Sequence, residues 1–359
     1  MVETLFNSPP QPPAIRSVPP SHDRRRARAA ECPARRLSPA AGNVTSETRP
    51  RPPFKRIALL LQGGGALGAY QAGVYEALTE AELHPDCIAG ISIGAINGAL
   101  IAGNAPEARV DKLRAFWERV TAKPYCDWSE RLFFARNDAV RQWQNQMSAN
   151  LALISGASGF FMPRFPVPWL HPPGTMEAMS FYDTSRLRLT LEQLIDFDRI
   201  NEQRMRFAVG AVNVRNGNLV YFDTATHTIG PEHIMASAAL PPSFPAIEID
   251  GEHYWDGGLV SNTPLQWIGS QPHLDTLAFQ VDLWDARGEL PRTIADVSTR
   301  QKEIQYSSRT RAGTDHFKHV QRLRHAIADL LEKLPEDLKN GLEAQVLRPA
   351  IIKSTTSCT

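Results

Sequence analysis

Ile57-Ala58-Leu59-Leu60-Leu61-Gln62-Gly63-Gly64-Gly65-Ala66-Leu67-Gly68 and, after a helical stretch, Gly90-Ile91-Ser92-Ile93-Gly94 are the residues that decide how this chain folds. Five apolar residues run into three consecutive glycines, the pattern of a buried strand ending in a tight turn. A second apolar run, Cys87 to Ile91, ends at a serine held between two glycines. The residues after it, Ile93 to Ala102, are small and helix-compatible. Ala66 to Ala81 carries Tyr70, Val74, Ala77 and Leu78 along one helical face. Strand, glycine turn, helix, strand, serine turn, helix is the repeating unit of a layered α/β domain with a mainly parallel sheet.

Working outward, Val110 to Val120 reads as an amphipathic helix and Thr184 to Ile195 as another. Arg206 to Val214 and Gly217 to Thr224 read as strands joined at Arg215-Asn216-Gly217, a hairpin signal. His233 to Ala239 is a short helix. Asp250-Gly251-Glu252 is a turn between two more strands, and Asp256-Gly257-Gly258 follows them directly. Thr276 to Leu283 is a strand, and Phe317, Val320, Leu323, Ile327, Leu330, Leu331 and Leu334 predict a helix over His316 to Leu334. The hairpins make the sheet mixed. Between them lies 124–180, rich in aromatic residues, proline and glycine, including Phe160, Phe161, Phe165 and Trp169. It reads equally as an irregular cover packed on the core and as a lid or lipid-facing rim.

The net charge of +1 over 359 residues hides an asymmetry. Residues 1–56 hold 11 Lys and Arg against 4 Asp and Glu, and the remainder 28 against 34. A nucleic-acid enzyme would more often carry its positive charge on the folded body, so nucleic acid is not an expected partner. Residues 1–53, rich in proline and arginine, predict a disordered basic tail, either simply solvated or in contact with anionic lipid. The tail has no apolar run that would make a secretory signal. Ile57 to Tyr75 is 19 residues without a charge, but its five glycines and two glutamines favour a strand-turn-helix over a membrane span. A cytoplasmic protein with peripheral membrane contact is expected. Cys32, Cys87, Cys126 and Cys358 match no zinc spacing and read as unpaired thiols.

A serine hydroxyl needs exposure, orientation and a base before it can attack. Gly90-x-Ser92-x-Gly94 supplies the exposure, because small flanking residues permit a sharp strand-to-helix turn. Gly63-Gly64-Gly65-Ala66-Leu67-Gly68 also satisfies the dinucleotide pattern G-x-G-x-x-G, yet no acid stands at the end of the following strand to hold a ribose. The amides of Gly64 and Gly65 are the better candidates for an oxyanion hole. For the base, His227, His233, His253, His273, His316 and His319 follow Ser92 in the chain, but none stands in an obvious catalytic loop. Asp256 stands at a strand end, ahead of the two glycines Gly257 and Gly258.

Taken together and in this order, G-G-G-x-x-G, G-x-S-x-G and D-G-G resemble the patatin-like phospholipases. The context Asp256-Gly257-Gly258-Leu259-Val260-Ser261-Asn262-Thr263-Pro264-Leu265 is similar to the family pattern too, as is the stretch with Ala238 and Pro241-Pro242 before it. The resemblance implies a Ser92–Asp256 catalytic dyad without histidine. It also implies an oxyanion hole from the loop of Gly63, Gly64, Gly65 and Gly68, a lipid acyl ester as substrate, and neither cofactor nor metal. Leu67 departs from the basic residue many members carry in this loop. The alternatives are a Ser-His-Asp carboxylesterase with a base such as His273, or a non-catalytic lipid-binding protein on the same scaffold. The resemblance predicts a hydrolase domain over 57–270. Residues 271–359 form a helical C-terminal extension, similar to the appended region of a bacterial subgroup, that completes the core or packs on it.

Overall fold

The computed structural model describes residues 51–122, 152, 154–269 and 275–333. The basic tail up to residue 50, Cys32, Cys126, Cys358, His273 and all of 123–151 lie outside the described residues.

Among the described residues nine strands organise the fold: β1 (Arg56–Leu61), β2 (Cys87–Ile91), β3 (Met162–Pro163), β4 (Tyr182–Asp183), β5 (Arg206–Asn213), β6 (Leu219–Asp223), β7 (Ile247–Ile249), β8 (Glu252–Asp256) and β9 (Thr276–Val281). Seven of them form one sheet in the order β7-β8-β5-β2-β1-β9, with β6 also on β5. β9, β1, β2 and β5 run parallel, and β6 and β8 run antiparallel to β5. The α-helices are α1 (Ala69–Glu80), α2 (Ile93–Ala102), α3 (Arg109–Thr121), α4 (Ser185–Leu194), α5 (Phe197–Asn201), α6 (Pro231–Ser237), α7 (Leu265–Gly269) and α8 (Ile294–Glu332).

Every residue of β1 and β2 is buried, as strands covered on both faces must be. Alternation along β1 sends Leu59 and Leu61 into a core shared with Ile96, Leu100, Phe116 and Leu191 of α2, α3 and α4. It sends Ala58 and Leu60 to the opposite face, against Trp267 and Ile268 of α7, with Phe317 of α8 beside them. The result is a three-layer α/β domain with a mainly parallel central sheet.

One detail of the sheet places the functional residues. β6 covers one edge of β5 over Ala208–Val212. The other edge is shared end to end by two strands. Parallel β2 pairs along it as far as Ile91↔Gly210, and antiparallel β8 takes over from Ala211↔Asp256. The C-terminal ends of β2 and β8 therefore point at each other along one edge of β5. Ser92 follows one end and Asp256 forms the other, although 163 residues separate them in the chain. β1 ends beside them, at Leu61↔Gly90, and β9 ends next to β1, at Leu61↔Val281. Ligands of parallel α/β sheets bind at this carboxyl end of the strands.

Two expectations change. The C-terminal helix begins at Ile294, 22 residues before the start predicted at His316. Residues 294–315 lack an apolar stripe, so periodicity could not reveal them. Good helix formers such as Arg300, Gln301, Lys302 and Glu303 carry the helix there instead. The helix after the glycine turn begins at Ala69 rather than Ala66, because Gly65–Gly68 forms a single 3-10 turn first.

Candidate active site

Ser92 occupies the turn between β2 and α2 with φ 57° and ψ −127°, a backbone conformation that non-glycine residues rarely adopt. The two neighbouring glycines make that turn possible. A Cβ on Gly90 would lie 2.2 Å from the Gly94 carbonyl oxygen, and one on Gly94 would lie 2.3 Å from the Leu61 carbonyl oxygen. The Ser92 amide donates to Ser237 Oγ at 2.9 Å, and Ser237 Oγ donates in turn to the Gly210 carbonyl at 2.7 Å. Ser237, on α6, is fully buried and holds the strained turn against β5.

Asp256 is 2% exposed. Its carboxylate accepts the Gly258 amide at 2.7 Å and lies close to the Ser92 side chain. Burial pushes its pKa up to about 7, although Ser92 and the Gly258 amide both favour the charged form. The glycines after it are dictated by space. A Cβ on Gly257 would meet the Gly210 carbonyl oxygen at 2.5 Å, and one on Gly258 would stand 2.9 Å from Asn262 Oδ1.

The four glycines of the predicted oxyanion loop have different environments. Gly63 runs so close to the serine that a Cβ there would lie 3.0 Å from Ser92 Cβ. Its amide, however, already donates to the Asn262 carbonyl at 3.1 Å. Its carbonyl accepts Asn262 Nδ2 at 2.7 Å and Trp284 Nε1 at 2.8 Å. Gly68 is a packing residue, where a Cβ would lie 2.5 Å from Ile93 Cγ1. Its carbonyl accepts Asn97 Nδ2 at 2.9 Å. Gly64 and Gly65 remain. Among the described residues no turn or loop acceptor takes either amide, and Gly65 has the positive φ of 56° that re-aims the chain there. Of the four glycines, the Gly63 amide is therefore already bonded within the loop region, whereas among the described residues those of Gly64 and Gly65 are not.

Asn262 and Ser237 carry no catalytic signature, and sequence reasoning did not give either a role. Each is a single polar side chain that satisfies backbone groups at a close approach. For Asn262 the hint was its place six residues after Asp256. Gln62 was equally silent. Its Nε2 donates to Thr263 Oγ1 at 3.1 Å and to Thr310 Oγ1 at 2.7 Å, and its Oε1 accepts the Leu283 amide.

No described histidine is bonded to Ser92. The ring of His233 is buried, but its Nδ1 accepts the Gly230 amide at 3.0 Å. His227 Nδ1 pairs with Thr226 Oγ1 at 2.8 Å. His253 points to solvent, and His316 and His319 sit on α8.

A family model described as patatin-like phospholipase matches residues 59–266, more than half of the 359 residues. The chain belongs to the patatin-like phospholipase family. A second model, described as patatin phospholipase, matches residues 304–358. Among curated relatives, the lysophospholipase nte1 of Aspergillus terreus is 53% identical over 51 residues, 14% of this chain and 3% of that protein. The patatin-like phospholipase domain-containing protein 7 of Rattus norvegicus is 54% identical over 46 residues, 13% of this chain and 3% of that protein. The matches thus span a small fraction of these much longer relatives. VipD from Legionella pneumophila overlays with a TM-score of 0.37 at 18% identity, covering 62% of this chain and 49% of VipD. The type III effector ExoU overlays with a TM-score of 0.25 at 15% identity, covering 82% of this chain and 59% of ExoU.

The described part of the segment read as cover or rim has packed and exposed aromatic residues. Phe160, Phe161, Tyr182 and Phe244 pack on one another with ring centroids 4.8–6.1 Å apart. Outside that cluster Phe165, Trp169 and Leu170 are 96%, 73% and 71% exposed. The segment is anchored to the loop after α6, where the Phe181 amide donates to the Pro242 carbonyl at 3.1 Å. A cavity of about 440 Å³ lined by Leu67, Tyr70, Leu283, Trp284, Asp282 and Asp285 opens beside the glycine turn. Among the described residues no helix is long and apolar enough to cross a membrane.

Proposed function

We propose that this chain is a lipid acyl hydrolase that cleaves carboxylic esters through an acyl-enzyme on Ser92, with Asp256 as the base. The observation that carries the reading is one juxtaposition. Among the described residues, a buried carboxylate with no cation beside it lies against the side chain of a serine on a strained elbow, close enough for that serine to favour its charged form. In water a carboxylate of pKa about 4 is a poor base for an alcohol. Raised to about 7, it stays ionised in part at neutral pH and holds a proton far more firmly.

In the proposed reaction, the Ser92 hydroxyl gives its proton to Asp256 as Oγ attacks the ester carbonyl. The carbonyl electrons move to oxygen, and the amides of Gly64 and Gly65 receive the charge. The tetrahedral adduct collapses, the alcohol leaves with the proton from Asp256, and the acyl group remains on Ser92. Water, deprotonated by Asp256, then attacks the acyl carbon. The acid departs, and the proton returns to Ser92. Each oxyanion donor is worth ~3 kcal/mol in such reactions. The cavity beside Gly64 offers Leu67, Tyr70 and Leu283 to an acyl chain. The exposed Phe165, Trp169 and Leu170 offer an apolar contact to a membrane surface, which fits a cytoplasmic enzyme that works at an interface.

The test is hydrolysis of a panel of phospholipids, acylglycerols and nitrophenyl esters by wild type, Ser92→Ala and Asp256→Ala. The expected result is cleavage by wild type and none above background by either variant. Cleavage by Ser92→Ala would refute the reading. The paired substitution Phe165→Ser and Trp169→Ser should weaken binding to phosphatidylcholine vesicles by on the order of 10³, at roughly 2 kcal/mol for each of the two side chains that inserts. Hydrolysis of a short soluble ester should stay unchanged.

A further inference from the structure

Once Ser92 is acylated it has no hydroxyl proton to offer Asp256. The hydrogen bond from the Gly258 amide at 2.7 Å is what remains to orient the carboxylate. That amide belongs to the short turn Gly257–Leu259. Its hold on Asp256 is therefore only as firm as the turn. Two carbonyls of the turn face α8. Arg309 Nη1 donates to the Leu259 carbonyl at 2.9 Å and to the Gly258 carbonyl at 3.4 Å.

The neighbours of Arg309 on the same helical turn reach the rest of the site. Thr310 Oγ1 lies 2.9 Å from Thr263 Oγ1 and accepts Gln62 Nε2 at 2.7 Å, which joins the ends of β1 and of the aspartate loop. Tyr306 stacks on Trp284 with ring centroids 5.0 Å apart, and Trp284 Nε1 bonds the Gly63 carbonyl at 2.8 Å. Burial pushes the Tyr306 phenol up, and the charge of Asp256 adds to that shift while Arg309 opposes it. The carboxylate is thus electrostatically felt on this face of the helix. Residues 306–310 fall inside the second family match.

We propose that Arg309 is a positioning residue of the acyl-transfer site, acting from α8 through the Gly257–Leu259 turn to hold Asp256 in line with Ser92. The C-terminal extension is then a working part of the catalytic apparatus. The proposal rests on the Ser92–Asp256 reading. It adds that α8 sets the geometry of the base.

The experiment compares wild type, Arg309→Met, Arg309→Lys, Ser92→Ala and Asp256→Asn in the full chain, with a soluble nitrophenyl ester and a fluorophosphonate that labels Ser92. Arg309→Met keeps the aliphatic stem but not the donor. It should lower kcat about tenfold, the scale of one hydrogen bond from a charged donor, with KM within about twofold. Its fluorophosphonate labelling should slow by a similar factor. Arg309→Lys retains a donor and should recover most of the rate. A folded Arg309→Met with wild-type kcat and labelling, beside inactive Ser92→Ala and Asp256→Asn, would overturn this proposal and leave the dyad standing. Active Ser92→Ala or Asp256→Asn would instead overturn the dyad. If Arg309→Met melts below the assay temperature, the comparison is made below its melting point with wild type and Arg309→Lys alongside: a tenfold loss of kcat in Arg309→Met that Arg309→Lys restores supports the role, and equal kcat in all three overturns it.

Discussion

Asp223 and Asp256 are both buried in the central sheet and both pair with β5, three residues apart, at Ala208↔Asp223 and Ala211↔Asp256. They lie on opposite edges of that strand and are treated in opposite ways. Asp223 accepts Arg206 Nη2 at 2.9 Å and Nε at 3.0 Å, Trp267 Nε1 at 2.7 Å and the Ala225 amide at 2.9 Å. Burial works against its charge, but these bonds, Arg206 first, outweigh it and hold the carboxyl below the usual range. Among the described residues Asp256 has no cation beside it and one hydrogen bond, from the Gly258 amide, with the Ser92 side chain as the other favourable neighbour, so burial wins and the carboxyl is pushed up to about 7. One sheet therefore carries a carboxylate committed to structure and another left under-compensated. The difference lies in the partners and in the depth of burial, and an under-compensated buried charge is a candidate for the reactive end.

The strongest way to break this contrast is to neutralise each carboxylate in turn. Asp256→Asn should lower kcat by on the order of 10³ through loss of the base, with melting unchanged or raised. Asp223→Asn should leave the activity per folded molecule within about twofold. It should destabilise by about 2 kcal/mol, less than a fully buried pair because the Arg206 side chain is 33% exposed. Equal activity losses in the two variants, measured with folded fractions known, would erase the distinction.

Gly63→Ala probes the reactive end without touching either carboxylate. Its Cβ would stand 2.4 Å from Asn262 Oδ1 and 3.0 Å from Ser92 Cβ. The loop must shift, and a displacement near 1 Å costs about 100-fold in rate. Single-turnover acylation checks this, with circular dichroism to confirm the fold.

Stability against pH separates the two residues by sign. The Asp223 pKa is lower in the folded chain than in the unfolded one. Its contribution is present above the ordinary carboxylate pKa of about 4 and is lost as pH falls through the lower folded value. The Asp256 pKa is raised. The folded chain keeps a proton that the unfolded chain releases between about pH 4 and about pH 7, so stability declines as pH rises through that window. The decline is on the order of 4 kcal/mol. Urea titrations at pH 4.5 and 7.5 should show it in wild type. In Asp256→Asn that decline should be absent.

What the sequence disclosed follows the same division. Both turns at the head of the sheet were legible because their constraints are local: a glycine wherever two backbones touch, an apolar run wherever a strand is covered on both faces. Asp256 could be singled out from its two glycines and from the family pattern. The meeting of β2 and β8 on one edge of β5 could not, since pairing partners leave no mark in a single chain. Asn262, Ser237 and Gln62 were illegible for a related reason. A lone polar residue looks the same whether it faces water or ties two buried loops together. The first half of α8 went unseen because side-chain hydrogen bonds from Arg309 and Thr310, rather than an apolar stripe, fasten it to the site.

The rate at which Ser92 is acylated, followed from pH 4 to pH 9 in wild type and Asp256→Asn, tests the central claim most directly. The dyad predicts a rate that rises with pH to a plateau, half-maximal near pH 7 because Asp256 must be ionised to accept the proton. In Asp256→Asn it predicts a rate on the order of 10³ lower, with that inflection gone. Rapid acylation of Asp256→Asn with the inflection intact would contradict it and assign the base to another residue.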